Sequence, residues 1–377
     1  MKTARPVAAE LSWPQVHAFR LSRHHLLGRA PKRDLARVVG DIGGVQAQLM
    51  SAAELQVAVR AECKVADVRA ALWTDRTLVK TWLMRGTLHL ALADDLPVFT
   101  AAMSRRWITP SKAWLKYFHV TEAEVWALAD EIGAALSDQP VTREELIATV
   151  AGGRSPRVRE ALKSGWGGML KPAARNGRLC FGPNRGQSVT FVSPQRWLGR
   201  WRTVDPDEAV AEMARRYLGV YGPATQTDFA RWWGAWPGVG KAAWSALGEE
   251  VVPVSVAGAR MELLASDLAA VRGSAASDSV QLLPQFDPYL LGHARRDHLL
   301  DRAHASKVSR TAGWISAVVL VAGAVVGTWT HANSGKGMRL TVTAFEPLRE
   351  KVKRVVRRRG EELGDALGAK SVEVLFA

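Results

Sequence analysis

Thr311 to Thr330, TAGWISAVVLVAGAVVGTWT, runs for twenty residues without a charge, close to the length an α-helix needs to cross a bilayer. The segment therefore restricts the chain to one of two kinds of fold. Either the run is a membrane span, or it is a segment buried on all sides within a globular core. Its residues favour the second. Valine dominates, Gly313, Gly323 and Gly327 interrupt the run, and β-branched residues prefer extended backbone. Ala322-Gly323 sits midway as a turn, so the run predicts two apolar strands joined in a buried β-hairpin. The opening residues, MKTARPVAAELSWPQVHAF, contain no apolar core of signal-peptide length. Cys63 and Cys180 are the only cysteines, too few for a disulfide framework or a cysteine-ligated zinc site. A cytoplasmic, reducing setting without membrane attachment is expected.

One small unit is used several times along the chain. Pro140-Val141-Thr142-Arg143-Glu144-Glu145-Leu146 and Pro223-Ala224-Thr225-Gln226-Thr227-Asp228-Phe229 both read Pro-x-Thr-x-x-acid-apolar. A threonine followed three residues later by an acid can form a capping box, so both segments predict helix starts. Each follows an amphipathic stretch (122–136; 207–218) and precedes a tryptophan-containing helical stretch (158–176; 240–247). Each then gives way to β-like sequence: 178–182, a turn at Asn184-Arg185-Gly186 and 188–192 in one case, 250–256 in the other. Three helices followed by a hairpin is the helix-turn-helix plan with a wing. The N-terminal third repeats it. Helical segments (13–28, 32–42, 52–60, 65–73) lead to a strand over 78–84, a turn at Arg85-Gly86 and a strand over 87–92. From about Leu282 the chain carries the apolar hairpin, a strand over 337–343 and a basic amphipathic helix over 347–368.

Lysine and arginine number 51 against 36 aspartates and glutamates, a net charge of +15. A surplus of that size points to a polyanionic partner. With 47% apolar and 23% charged residues the composition is that of a globular protein, so the surplus lies on folded surfaces. Lys171, Arg175, Arg178 and Arg185 fall on the third helix and wing of the middle unit, where a winged-helix module meets phosphates. Lys351, Lys353, Arg354, Arg357, Arg358 and Arg359 cluster on the last helix.

Common catalytic signatures are missing: the sequence has no Walker loop, no G-x-G-x-x-G opening a helix, no H-E-x-x-H and no G-x-S-x-G. His293, His298 and His304 lie close to Asp297 and Asp301, but the i, i+5 and i, i+6 steps between successive histidines do not bring neighbouring ones onto one helical face, so no metal site is expected, and no cofactor is expected either. One short segment stands apart. In Asp41-Ile42-Gly43-Gly44-Val45-Gln46-Ala47-Gln48 the glycines break a helix, and two glutamines at i and i+2 of an extended segment point the same way. Paired carboxamides can hold a water and offer carbonyl oxygen to a cation, although they cannot deprotonate strongly. Hydrogen-bonding a loop is the alternative role for the pair.

Val45-Gln46-Ala47-Gln48, Thr81-Trp82-Leu83-Met84-Arg85-Gly86-Thr87-Leu88-His89, Leu283-Pro284-Gln285-Phe286-Asp287-Pro288-Tyr289 and Val326-Gly327-Thr328-Trp329 together resemble the winged-helix DNA glycosylases of the AlkZ and YcaQ type. The landmarks occur in that family's order and cover about residues 10 to 360. The resemblance implies an α+β fold of tandem winged-helix domains around a concave, basic DNA channel, with a C-terminal β-rich portion. The expected division is 10–120, carrying the glutamine motif, 121–203, 204–280, and 281–377 as hairpin region and basic helix. The Gln-apolar-Gln motif resembles the AlkZ branch rather than the Gln-apolar-Asp of the YcaQ branch. It implies that Gln46 and Gln48 hold the attacking water and stabilise positive charge at the deoxyribose. Arg85 and His89 are expected near them on the DNA side, or else Arg85-Gly86 only turns a wing. For Asp287, a structural cap before the C-terminal domain stands as the equal alternative to a role at the site.

The implied activity is that of a monofunctional DNA glycosylase. Its substrates would be cationic N-alkylated purines of the N7-alkylguanine type in double-stranded DNA, including interstrand crosslinks and bulky genotoxin adducts. The implied setting is bacterial cytoplasm, for general repair or for self-resistance to a toxin made by the same cell. A carboxylate would stabilise the sugar cation better than an amide, so glutamine at position 48 implies a narrower or more reactive set of lesions. The rival reading is a non-catalytic winged-helix DNA-binding protein or regulator. No coiled-coil or swapped segment is evident, so a monomer is expected.

Overall fold

Capping chemistry sets the helix starts that the sequence marks. The Thr142 hydroxyl accepts the Glu145 N–H at 3.2 Å while the Glu145 carboxylate accepts the Thr142 N–H at 2.7 Å, opening the helix Arg143–Val150. Thr225 and Asp228 repeat the arrangement at 3.2 and 2.9 Å ahead of Gln226–Trp233. Each box satisfies two donors that a helix end otherwise leaves orphaned. A computed structural model describes residues 5–104, 106–334 and 337–377. It divides into two compact units, Met1–Arg69 with Ala214–Ala377, and Ala70–Met213. The expected segment 10–120 contributes to both. Helices and several small sheets are mixed throughout.

In the first unit the uncharged run forms the hairpin Val318–Val321 and Ala324–Ser334. Ala322 and Gly323 both take positive φ, 54° and 84°, the left-handed pair that a two-residue hairpin turn requires. The hairpin lies inside a five-stranded sheet in the order Val280–Leu283, Val318–Val321, Ala324–Ser334, Gly337–Ala344, Val372–Phe376, the last pair parallel. Val318 and Leu320 enter one core cluster with Leu21, Leu283 and Tyr289. Val319 enters another with Leu55, Trp329 and Leu340. Both faces of the strand are thus dry, which is why the run carries no charge. Each fully buried aliphatic side chain contributes roughly 1.5–3 kcal/mol. Among the described residues no helix is long and apolar enough to cross a membrane.

The basic helix Glu350–Leu367 lays Val356 and Leu363 on this sheet. Elsewhere in the unit, the part of the helix Pro206–Tyr221 from Ala214 onward, then Gln226–Trp233 and Pro237–Leu247, precede the hairpin Val251–Val256 and Ala259–Leu264. Glu10–Leu11 adds a short parallel strand to that hairpin.

The second unit packs Glu122–Ala135, Arg143–Val150 and Pro156–Lys163 against the hairpin Cys180–Arg185 and Ser188–Val192 around Trp82, Trp126, Leu162, Phe181 and Phe191. One expectation is corrected here. The helical stretch over 158–176 is two helices, Pro156–Lys163 and Lys171–Arg175. Gly165, Gly167 and Gly168 fall between them. Gly167 takes φ +67°, and any side chain there would run into the Trp82 indole; the helix cannot continue through that position.

Candidate active site

The glutamine pair is set by what holds the backbone on either side of it. The helix Leu35–Asp41 ends because Gly43 and Gly44 take φ +72° and +92°, and the Gly44 N–H returns to the Val39 carbonyl at 2.8 Å. Substitution at Gly43 is opposed twice, by its left-handed φ and by the Trp232 ring 3.2 Å from where a Cβ would stand. The Tyr221 hydroxyl donates to the Ile42 carbonyl at 3.1 Å. The chain leaves this anchor as the short strand Val45–Gln46. Gln46 is half-buried, Ala47 is 1% exposed and Gln48 is exposed. That alternation is the one extended backbone gives, with the glutamines on one side and Ala47 on the other. The helix Met50–Ala58 follows directly.

That helix carries a clamp that inspection of the sequence missed. Gln56 is fully buried, and its amide donates to the Gln285 carbonyl at 2.7 Å and, at 3.4 Å, to the carbonyl of Gln46 itself. Its own Oε1 has no partner. One turn on, Arg60 meets Asp287 in a bidentate pair at 2.7 and 2.8 Å with both side chains fully buried. Arg60 also donates to the Gln56 carbonyl at 2.9 Å. Asp287 caps the short helix Pro288–Leu291 through the Tyr289 N–H, in keeping with the structural alternative, and in addition neutralises Arg60. Trp329 donates to the Leu283 carbonyl at 3.0 Å, and Tyr289 to the Gly323 carbonyl at 3.2 Å. The Val45–Gln48, Leu283–Tyr289 and Val326–Trp329 landmarks thus form one hydrogen-bonded assembly in the first unit. The only sequence signal for it was the shared presence of those strings.

Arg85 and His89 belong to the second unit. Arg85 takes φ +56° at the turn between Leu78–Trp82 and Leu88–Leu92. Contrary to a DNA-facing position, His89 is 1% exposed. Its Nδ1 donates to the Thr87 carbonyl at 2.9 Å, which leaves Nε2 as an acceptor facing Arg85 Nη2 at 3.5 Å. Burial, then the Arg85 charge, push its pKa down to about 3, so at neutral pH it is an uncharged support for Arg85.

Lys171 and Arg175 converge on the same turn. A Cβ on Gly86 would stand 3.5 Å from Arg175 Nη2 and 3.8 Å from Lys171 Cδ. Burial lowers both pKa values, and the neighbouring Arg175 lowers that of Lys171 further; among the described residues no carboxylate offsets either effect. Arg178 and Arg185 are arranged differently. Arg178 pairs with Asp130 at 3.0 Å, and Arg185 pairs with Glu145 at 2.7 Å while donating to the Pro140 carbonyl. Exposed pairs of this kind contribute about 0–1 kcal/mol and exchange readily for another anion.

Among the described residues no three His, Cys, Asp or Glu side chains are grouped so as to hold a metal ion. The chemistry on offer is that of two neutral amides on a braced strand and of cations gathered at a hairpin turn.

Comparison with known proteins supplies the family. The model of the family described as DNA glycosylase AlkZ-like matches residues 39–366. An interstrand DNA cross-link repair glycosylase from Streptomyces sahachiroi is 37% identical over 374 residues, covering 96% of this chain and 98% of that one. The solved structure of the Streptomyces sahachiroi DNA glycosylase AlkZ superposes with a TM-score of 0.87 at 34% identity, over 98% of this chain and all of that one.

Proposed function

Because this chain belongs to the AlkZ-like family and is a DNA glycosylase, we propose that it hydrolyses the N-glycosidic bond of N7-alkylated purines, crosslinked ones included, through Gln46 and Gln48. The observation that carries the reading is the braced strand: Gln46 and Gln48 flank a buried Ala47, and Gln56 ties down the Gln46 carbonyl. Its relative from Streptomyces sahachiroi is named for interstrand cross-link repair, which supports the extension to crosslinks.

Neutral amides suffice for this bond. Alkylation at N7 already makes the purine a cation, so the base leaves without protonation, and the transition state gathers positive charge on the sugar. What remains is to hold a water and present carbonyl dipoles to that charge, and amides fixed in place do both. No side chain from Val45 to Met50 is titratable, so the reacting strand adds no charge of its own near a cationic base. Gln48 is exposed, which suits a lesion too large to swing into a deep pocket. We further propose that the repeated helix-and-hairpin segments are tandem winged-helix modules, and that their basic faces grip duplex phosphates while a single copy of the chain acts.

Duplex DNA carrying one N7-alkylguanine tests this. The wild type is expected to leave alkali-labile abasic sites, and Gln46→Ala with Gln48→Ala to lose them while still binding the duplex. Undiminished release by the double variant overturns the role of the glutamines. Binding without any release by the wild type leaves the non-catalytic DNA-binding reading in its place.

A further inference from the structure

The largest exposure of any bulky apolar side chain among the described residues is at Trp166, which is 75% exposed. Solitary exposed leucines or valines are ordinary; an indole held almost wholly in water is not. The backbone beneath it is well anchored. The Trp166 N–H donates to the Ser164 hydroxyl at 3.3 Å, Gly167 N–H to the Ser164 carbonyl at 3.0 Å, and Lys171 N–H to the Gly167 carbonyl at 2.9 Å. Gly167 sits against the Trp82 indole, and Met169 and Leu170 are buried just beyond. The segment could not fold Trp166 inward without lifting these contacts, so the ring is displayed by a fixed loop.

Its surroundings in the chain are cationic to an unusual degree. Residues 154–202 contain eleven lysines and arginines and one acid, Glu160, although Arg154, Arg178, Arg185 and Arg200 pair with acids outside the stretch. Trp166 lies within that stretch. On its C-terminal side come Lys171 and Arg175, which gather at Gly86 with no carboxylate paired to either among the described residues. An exposed aromatic ring on the loop that leads into Lys171 and Arg175 matches a strand of nucleic acid, whose phosphates take the cations and whose bases take the ring.

We propose that Trp166 stacks on a base exposed where the duplex is unstacked, while Lys171 and Arg175 hold the neighbouring phosphates. The inference rests on the DNA-binding reading above and extends it. It makes the second unit a sensor of disrupted stacking, separate in chemistry from the glutamine strand. Every base has a π face, so the contact recognises disorder in the helix rather than sequence. A wedge of this kind draws its selectivity from the lower cost of unstacking a damaged step.

Fluorescence anisotropy on two labelled duplexes, one intact and one with a single bulged base, measured across a salt series, tests it. Trp166→Ala is expected to weaken binding to the bulged duplex by roughly 5- to 150-fold, the ratio given by ~1–3 kcal/mol of base–aromatic stacking. Its loss on the intact duplex should be far smaller, its salt slope unchanged, and Trp166→Phe should keep most of the affinity. Lys171→Ala with Arg175→Ala should instead flatten the salt slope by about 0.9 per cation on both duplexes. Equal loss on both duplexes, no loss, or a lowered melting temperature in Trp166→Ala overturns the stacking role. An unchanged slope in the double variant overturns the phosphate role. Salt-insensitive binding by the wild type would overturn the DNA reading itself, before either variant is considered.

Discussion

Replacing Asp287 by alanine should cost more than any other single change near the glutamine strand. The substitution leaves the Arg60 guanidinium fully buried, with one hydrogen bond to the Gln56 carbonyl and an Nε that already lacks a partner. Removing one member of a buried ion pair costs about 3–5 kcal/mol, because the remaining charge has neither water nor a counter-ion. Loss of the Tyr289 N–H bond adds about 1 kcal/mol for the missing helix cap. Against a total stability of roughly 5–15 kcal/mol the first unit should become marginal. Since the chain has two units, hydrogen exchange followed by mass spectrometry suits the question better than a single melting curve. Protection should fall across Met50–Ala58 and Val318–Val321 and hold across Glu122–Ala135. A second variant separates stability from function. Arg60→Met with Asp287→Leu removes both charges and should recover most of the protection. Excision should stay reduced, because the Arg60 hydrogen bond to the Gln56 carbonyl is then gone. A loss below about 1 kcal/mol in Asp287→Ala would mean that the pair is not isolated from water as its burial implies. Full activity in the double variant would mean that it only holds the fold.

Gln56→Ala should lower kcat with little change in KM, since it frees the Gln46 carbonyl without touching the DNA surface; equal changes in both constants would refute a positioning role. Gly43→Ala should destabilise the chain by about 1–2 kcal/mol in urea titrations through its left-handed φ alone, with the Trp232 contact adding to that, and a neutral result would show that the turn can relax. Across pH 7 to 9 the excision rate should be flat, because neither amide titrates; a bell-shaped profile would mean that an ionising group takes part.

Acid should destabilise the fold, as followed by melting temperature from pH 7 to 5. His17, held near pKa 4 by burial and Arg20, and His24 and His293, held well below the ordinary value by burial first, stay neutral in the folded chain. Unfolded histidine takes a proton near pH 6.5, so their stabilisation is present above that value and is lost as pH falls below it. At pH 5 this amounts to about 2 kcal/mol per histidine at most. A melting temperature constant over that range would refute the assignment.

Features set by neighbours in the chain were readable in advance. Valines about Ala322-Gly323 marked the hairpin, Thr142 and Thr225 marked their helices, and Gly43-Gly44 marked the break before the glutamines. The break at 164–170 escaped because Met169 and Leu170 continue an apolar pattern that the glycines interrupt only in the backbone. Val372–Phe376 escaped because its order comes from parallel pairing with Met338–Val342. Gln56, Arg60 and Asp287 were opaque for the same reason. Their roles exist only through partners 229 and 227 residues away, and a single sequence carries no sign of which distant groups meet.

That separation also orders events while the chain is being made. The glutamine strand leaves the ribosome early, but its unit is completed only by Ala214–Ala377. At about 5–20 residues per second, Arg60 waits roughly 10–45 s for Asp287 to be synthesised. Until then the strand has no brace and the helix after it holds an unmatched charge. Nascent and truncated chains should therefore carry all the glutamine chemistry in sequence and none in geometry. On the role proposed for Gln46 and Gln48, excision would have to wait until the second half of the chain has been translated.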